Sequence, residues 1–323
     1  MPQPSQGQIS KDILSGIAIT LAIFTVSIYM PLLGLFSALV IPLPVLFYRA
    51  KLGRKNGGIV PAVAIAAVMV IAGSLSFEAV FFAELIILGF VLAELIEMNM
   101  PVETTIGFAA GTILLVGLLA LAFYSIASHK GIHQVVSDYV LKNLEFSLAV
   151  YERMGMSDEN IRMIANSLKD IQYAIVRIIP GLAVASILFV SWMNLLMARV
   201  LLLRRNLFFP AYGALNRWRP PEVLVWGVVG SGGLLLTGVK VLKMLGLNGL
   251  LILLTIYFFA GIAVVSFFFD KKRFPPMLRF FLYALIALQQ LFLLFVIGLG
   301  LFDTWLNFRK IETGRSSPEN SGN

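Results

Sequence analysis

Cysteine is absent from the 323 residues, histidine occurs twice, and charged residues make up only 13% of the chain. Without cysteine there is no disulfide, no thiol nucleophile and no thiolate metal site. His129 and His133 have a spacing that suits two ligands on one helix face. No Glu lies between them and no third ligand is evident, so the pair reads as a solvated helix start rather than a metal centre. Soluble domains carry about 25% charged residues, and this chain falls far below that. No phosphate-binding loop, Ser-His-Asp set or carboxylate dyad is readable, and the SGG of 231–233 lies inside an apolar run. The chain is therefore read as non-enzymatic, with no cofactor.

What is present is hydrocarbon-compatible sequence. Hydrophobic residues make up 59% of the chain and the mean hydropathy is +0.90. Apolar runs of about 20 residues recur, each long enough to cross ~30 Å of bilayer core. The 25 basic residues exceed the 17 acidic ones, but they gather in short loops between apolar runs. That is the positive-inside pattern of a membrane protein, not a nucleic-acid surface. The first apolar run has no small-residue cleavage site after it and reads as a retained span.

The expected fold is all-α: a polytopic transmembrane helical bundle of about nine spans, or about eight, with an amphipathic helical insert. The spans fall at 12–30, 32–48, 58–73, 77–97, 104–127, 174–203, 223–244, 248–269 and 277–306. Pro42 and Pro44 should kink or unwind the second. The chain thus divides into an N-terminal membrane bundle, 1–127, with about five spans, and a C-terminal bundle, 173–308, with about four. Between them lies a polar insert, 128–172, and 309–323 forms a polar tail expected to be disordered.

In the insert, Val136, Val140, Leu144, Leu148 and Tyr151 recur at helical spacing. Ser157 then suits an N-cap, with Asp158 and Glu159 in the first turn of a second helix. Its stripe of Ile161, Ile164, Ala165, Leu168 and Ile175 runs on into the following span. Even numbers of spans separate the basic loops 49–55, 204–222 and 270–276. All three can lie in the cytoplasm with the N-terminus, leaving the insert outside. The side of the C-terminal tail turns on whether the total is odd or even.

Ionisable groups inside spans are expensive and become functional candidates by default. Glu84 is the leading one, and Glu94 falls within roughly 80° of it around the helix, so both could face one cavity. Gln289, Gln290 and Asn194 are further ligand-binding candidates, with helix-to-helix hydrogen bonding as the favoured use of such groups. Lys240 and Lys243 read as snorkelling late in the 223–244 span. Gly16, Ala18 and Ala22 give the first span a small-residue face on which a partner could dock.

The segments RWRPPEVLVWG (217–227), LNGLLILLTIYFFAGIAVVSFFF (247–269) and GLFDTWLNFRK (300–310) resemble the YybS-like bacterial membrane proteins, a domain of unknown function. The N-terminal half is distantly similar to the S components of energy-coupling-factor vitamin transporters. In that group an AxxxA motif on the first helix meets a transmembrane coupling subunit with ATPases, and Ala18 and Ala22 match it. The resemblance implies a bacterial inner-membrane protein that binds a small, unidentified solute. About nine spans in place of six, and the large insert, depart from that pattern. The rival expectation is a non-transporting scaffold that binds envelope proteins or lipid through 128–172.

Overall fold

The computed structural model describes residues 6–73 and 76–310, and these are helical with no strand among the described residues. The expected disordered tail lies outside them from residue 311 onward. The chain forms two compact units that meet in sequence between Tyr212 and Gly213. That boundary falls inside the second basic loop. The insert and the span after it lie within the first unit.

The first unit holds α1 (Gln6–Tyr29), α2 (Pro31–Val40), α3 (Pro42–Gly57), α4 (Ile59–Ile71), α5 (Phe77–Glu97) and α6 (Val102–Ala127). It continues with α7 (Ile132–Arg153) and α8 (Asp158–Arg204). Helix α5 is apolar apart from its four glutamates, and more than half of it is buried among the other helices. It starts cleanly: the Ser76 hydroxyl accepts from the Ala79 amide at 3.2 Å, with Glu78 in the first turn. Phe82, Ile86, Leu88 and Leu92 of α5 are buried with Phe24, Val45, Leu46 and Val60 in one core. Gly89 lets α3 approach closely, because a Cβ there would run into the Pro42 carbonyl.

Pro42 and Pro44 interrupt the ladder between α2 and α3 without unwinding it, since Ile41 keeps right-handed helical angles. The sharper departure is Gly53, whose φ of 75° bends the end of α3. Ser157 is indeed the N-cap residue of α8, although its side chain makes no cap bond. That helix passes straight through Pro180 for 47 residues. At 1.5 Å per residue it is about 70 Å long, more than twice the hydrocarbon thickness, so its first part stands clear of any span. Helix α7 lies beside it, fixed by Gln172 Nε2 donating to the Ser137 carbonyl and hydroxyl at 2.9 and 2.8 Å.

The second unit holds a 3₁₀ turn (Leu215–Arg217), α9 (Val223–Leu235), α10 (Lys240–Lys271), α11 (Pro276–Leu288) and α12 (Gln290–Leu306). Val225, Tyr257 and Ala260 form its buried centre. Helices α10 and α12 cross at glycines: a Cβ on Gly261 would strike the Val296 carbonyl, and one on Gly300 the Tyr257 carbonyl. Ser231 of the SGG run packs against Gly246 and Gly249 of α10, the close approach that small residues permit.

Among the described residues 6 helices are long and apolar enough to cross a membrane, or up to 7 if the bent α11–α12 pair is one span. The count of about nine is therefore too high, for two physical reasons. Helices α4 and α9 have 13 residues each, about 20 Å, too short to span alone. The 277–306 run is broken at Gln289, where α11 and α12 bend by 102°. Lys240 and Lys243 sit in the first turn of α10, not at the end of the preceding helix.

The two ends of the first unit are chemically distinct. At the start of α5, Phe77 stacks on Tyr139 of α7 at 4.6 Å and the Tyr139 hydroxyl donates to Glu78 at 3.5 Å. At its other end, about 31 Å away by helix rise, lie the first basic loop and the end of α8. There Lys51 and Arg205 line one cavity. Because the chain has no cysteine, single cysteines report sidedness without background. Lys55→Cys and Arg204→Cys are expected to react with an impermeant maleimide from one face of the membrane, and Met154→Cys from the opposite face. Reaction of all three from the same face would overturn this arrangement.

Candidate functional site

Of Glu84, Glu94 and Asp303, carboxylates in the apolar helices, Glu94 and Asp303 have guanidinium partners and Glu84 does not. Glu94 is in the last turn of α5, where the helix dipole is negative and disfavours another negative charge. Arg49 of α3 offsets it, with Nε and Nη2 each 2.7 Å from Glu94 Oε1. Arg49 also pairs with Glu97, and Arg54 Nε approaches Glu94 Oε2 at 3.6 Å. The Arg49 residue is only 2% exposed, so it is a buried ion held by paired carboxylates. Glu94 is thus engaged by α3.

Asp303 of α12 is the second. Arg309 Nη2 and Nε lie 2.8 and 3.2 Å from its Oδ2. Arg219 Nε is 3.0 Å from the same oxygen, close enough for charge pairing but without hydrogen-bond alignment. Asn307 ends α12 in the left-handed conformation, φ 43°, as a short polar residue can. Its side-chain oxygen accepts from Arg219. Arg309 Nη1 also donates to the carbonyls of Asn216 and Trp218 at 2.7 and 3.1 Å. Burial lowers the Arg309 guanidinium from its usual range, and Asp303 opposes that shift. Asn216 Nδ2 carries the network on to Asp270 at 2.8 Å, which pairs with Arg279 at 2.5 Å. The 217–227 and 300–310 segments are therefore clasped together by buried charge.

Glu84 is the exception. It sits half-buried on α5 against Gly117 of α6, its Oε1 2.9 Å from where a Gly117 Cβ would stand. No hydrogen bond or ion pair reaches its carboxylate among the described residues. It lies about 15 Å along α5 from Glu94. Above it, Tyr139 binds Glu78 near the start of the same helix; burial first, and then the Glu78 charge, raises the Tyr139 phenol and keeps it a donor.

The remaining candidates separate. Asn194 is fully buried, its Nδ2 donating to the Leu39 and Val190 carbonyls at 2.9 and 2.8 Å. It patches the ladder that Pro42 and Pro44 interrupt. Its Oδ1 and the neighbouring Ser191 hydroxyl have no hydrogen-bond partner among the described residues. Gln289 and Gln290 are exposed at the α11–α12 bend in the second unit. Gly16 faces inward onto Tyr48 and Val60, whereas Ala18 and Ala22 point outward beside Leu14 and Ile19. The three small residues do not form one docking face. His129 occupies a left-handed turn before α7, so it and His133 do not share a helix face.

The arginine clusters were not anticipated from sequence. The available signal was Asp303 inside an otherwise apolar run, six residues before an arginine. Asp303→Leu with Arg309 retained is expected to cost about 3–5 kcal/mol, as when one member of a buried pair is removed. The check is thermal unfolding in detergent, in which an unchanged midpoint would show that the clasp contributes little.

A family model described as "Predicted membrane protein (DUF2232)" matches residues 18–304. The chain is 24% identical over 288 residues to "Uncharacterized protein YybS" of Bacillus subtilis (strain 168), covering 87% of this chain and 91% of that one. No solved structure matches. Nearly the whole membrane-embedded part of the chain, from α1 to the Asp303 clasp, lies within the family match, and the protein belongs to the DUF2232 family of membrane proteins.

Proposed function

We propose that the first unit binds a small solute between α5 and α6 and serves transport in the manner of an S component. The observation that carries this reading is Glu84, a carboxylate inside a membrane span with no cation or donor against it among the described residues. A charge there is costly, and such groups generally mark solute or ion paths. The outward Ala18 and Ala22 of α1 offer a close-packing face to a transmembrane coupling subunit with ATPases. The protein is non-enzymatic in this reading. It sits in the bacterial plasma membrane, with the Lys51 and Arg205 end in the cytoplasm and the α7–α8 hairpin outside.

A second reading has its own support. The hairpin exposes Phe146, Met154 and Met163, which suits a scaffold that binds envelope proteins.

Mild-detergent purification from native membranes separates the two. The transport reading expects a coupling subunit and ATPases to copurify, and to be lost from the Ala18→Leu/Ala22→Leu variant. Envelope proteins without ATPases, unchanged in that variant, would instead favour the scaffold. For the solute site, Glu84→Gln is expected to lose a small molecule that mass spectrometry detects in the wild-type preparation, with the helical circular dichroism retained. An identical small-molecule profile in both preparations would sink the assignment of Glu84.

A further inference from the structure

At the basic end of the first unit, a cavity of about 340 Å³ is lined by Phe47, Tyr48, Lys51, Arg205 and Leu207. Its walls come from two elements that meet only in the folded chain. Phe47, Tyr48 and Lys51 belong to α3, while Arg205 and Leu207 follow the end of α8. Asn206, with a φ of 54°, turns the chain between them. Leu207 then packs against the core instead of continuing the helix.

The lining combines two cations with an apolar wall. The Arg205 side chain is exposed and has no carboxylate partner among the described residues. Lys51 Nζ is 2.7 Å from Asp12, so its charge would be shared between that carboxylate and an incoming anion. The neighbouring acids, Glu94 and Glu97, are already engaged by Arg49 and Arg54. Positive charge is therefore left over at this cavity. The Tyr48 ring is pinned against Gly16, and Phe47 meets it edge-on at 5.2 Å.

We propose that this cavity binds a phosphoryl group, with Arg205 and Lys51 as its ligands and Phe47 and Leu207 holding the apolar part that carries it. Guanidinium supplies a planar pair of donors to phosphate oxygens and lysine a compact charge, the usual division of labour at such sites. The volume lies at the lower end of small-molecule sites and fits a headgroup rather than a whole lipid. The location, where two apolar helices end in basic loops, is where anionic headgroups concentrate. A phosphodiester lipid and a free phosphate share this chemistry. The site is independent of the solute site at Glu84.

The test uses the full chain in nanodiscs of phosphatidylcholine, with and without phosphatidylglycerol, read by native mass spectrometry and thermal unfolding. The wild-type protein is expected to retain phosphatidylglycerol, and Lys51→Gln/Arg205→Gln to retain it about tenfold less, as loss of charge-assisted hydrogen bonds would produce. Stabilisation by inorganic phosphate in pure phosphatidylcholine discs, lost in the same variant, would support the site and identify a soluble source. Leu207→Trp keeps both charges and fills the cavity. It is expected to abolish retention even if the double variant folds poorly. Equal loss of retention in an Arg204→Gln/Lys55→Gln control would reduce the effect to general surface charge and overturn the proposal. So would the absence of response to either phosphate source in the wild type.

Discussion

The structure depends on how it pays for carboxylates in the last turns of apolar helices. Such a group faces two penalties at once, loss of water and the negative end of the helix dipole. The chain meets both with arginine brought from elsewhere: Arg49 and Arg54 for Glu94, Arg309 and Arg219 for Asp303. Because neither member of such a pair is tolerable alone, the pairs constrain which elements must meet. Arg49 and Glu94 tie the end of α3 to the end of α5. Arg219 and Arg309 tie the lead-in to α9 to the end of α12.

Close backbone approach is the other half of the same design. Hydrophobic burial offers little drive between helices already surrounded by lipid, so association rests on packing and on polar contacts. Gly89 at the Pro42 carbonyl and Gly261 with Gly300 at the α10–α12 crossing supply the packing. Asn194 supplies the polar contact where prolines have removed donors from the α2–α3 ladder. A side-chain amide in that position is structurally occupied on its nitrogen side, which explains its burial without any ligand.

Most of the fold was legible in the sequence because hydropathy and helical period report directly on helix existence. The insert, the Ser157 start of α8 and its run through Pro180 all follow from local pattern. The span count did not, because hydropathy averages over breaks. Residues 277–306 read as one apolar run, yet the chain turns at Gln289. Likewise 223–244 reads as one span although α9 stops at Leu235 and a new helix starts at Lys240. Of the candidate site, Glu84 was visible as a lone acid in an apolar run. The fate of Glu94 was not, since its partner lies 45 residues away and long-range pairing leaves no trace in periodicity. Helical spacing placed Glu94 and Glu84 on neighbouring sectors of one helix, but it could not say which helices would face those sectors.

The contrast among the carboxylates carries weight for function. Glu94 and Asp303 show that this chain provides arginine where an acid in an apolar helix is part of the framework. Glu84 sits on the same helix as Glu94, half-buried, and the element against it contributes a glycine. An uncharged side chain would pack there at lower cost, because an isolated carboxylate in hydrocarbon is unfavourable and contributes no hydrogen bond in return. A framework role therefore accounts for Glu94 and Asp303 and leaves Glu84 without one. Gly117 adds to the argument, because its missing side chain makes room for the carboxylate itself without supplying a donor that would satisfy it. The pairing that stabilises the ends of the helices is withheld at this point, and that is the physical basis for the solute site proposed at Glu84.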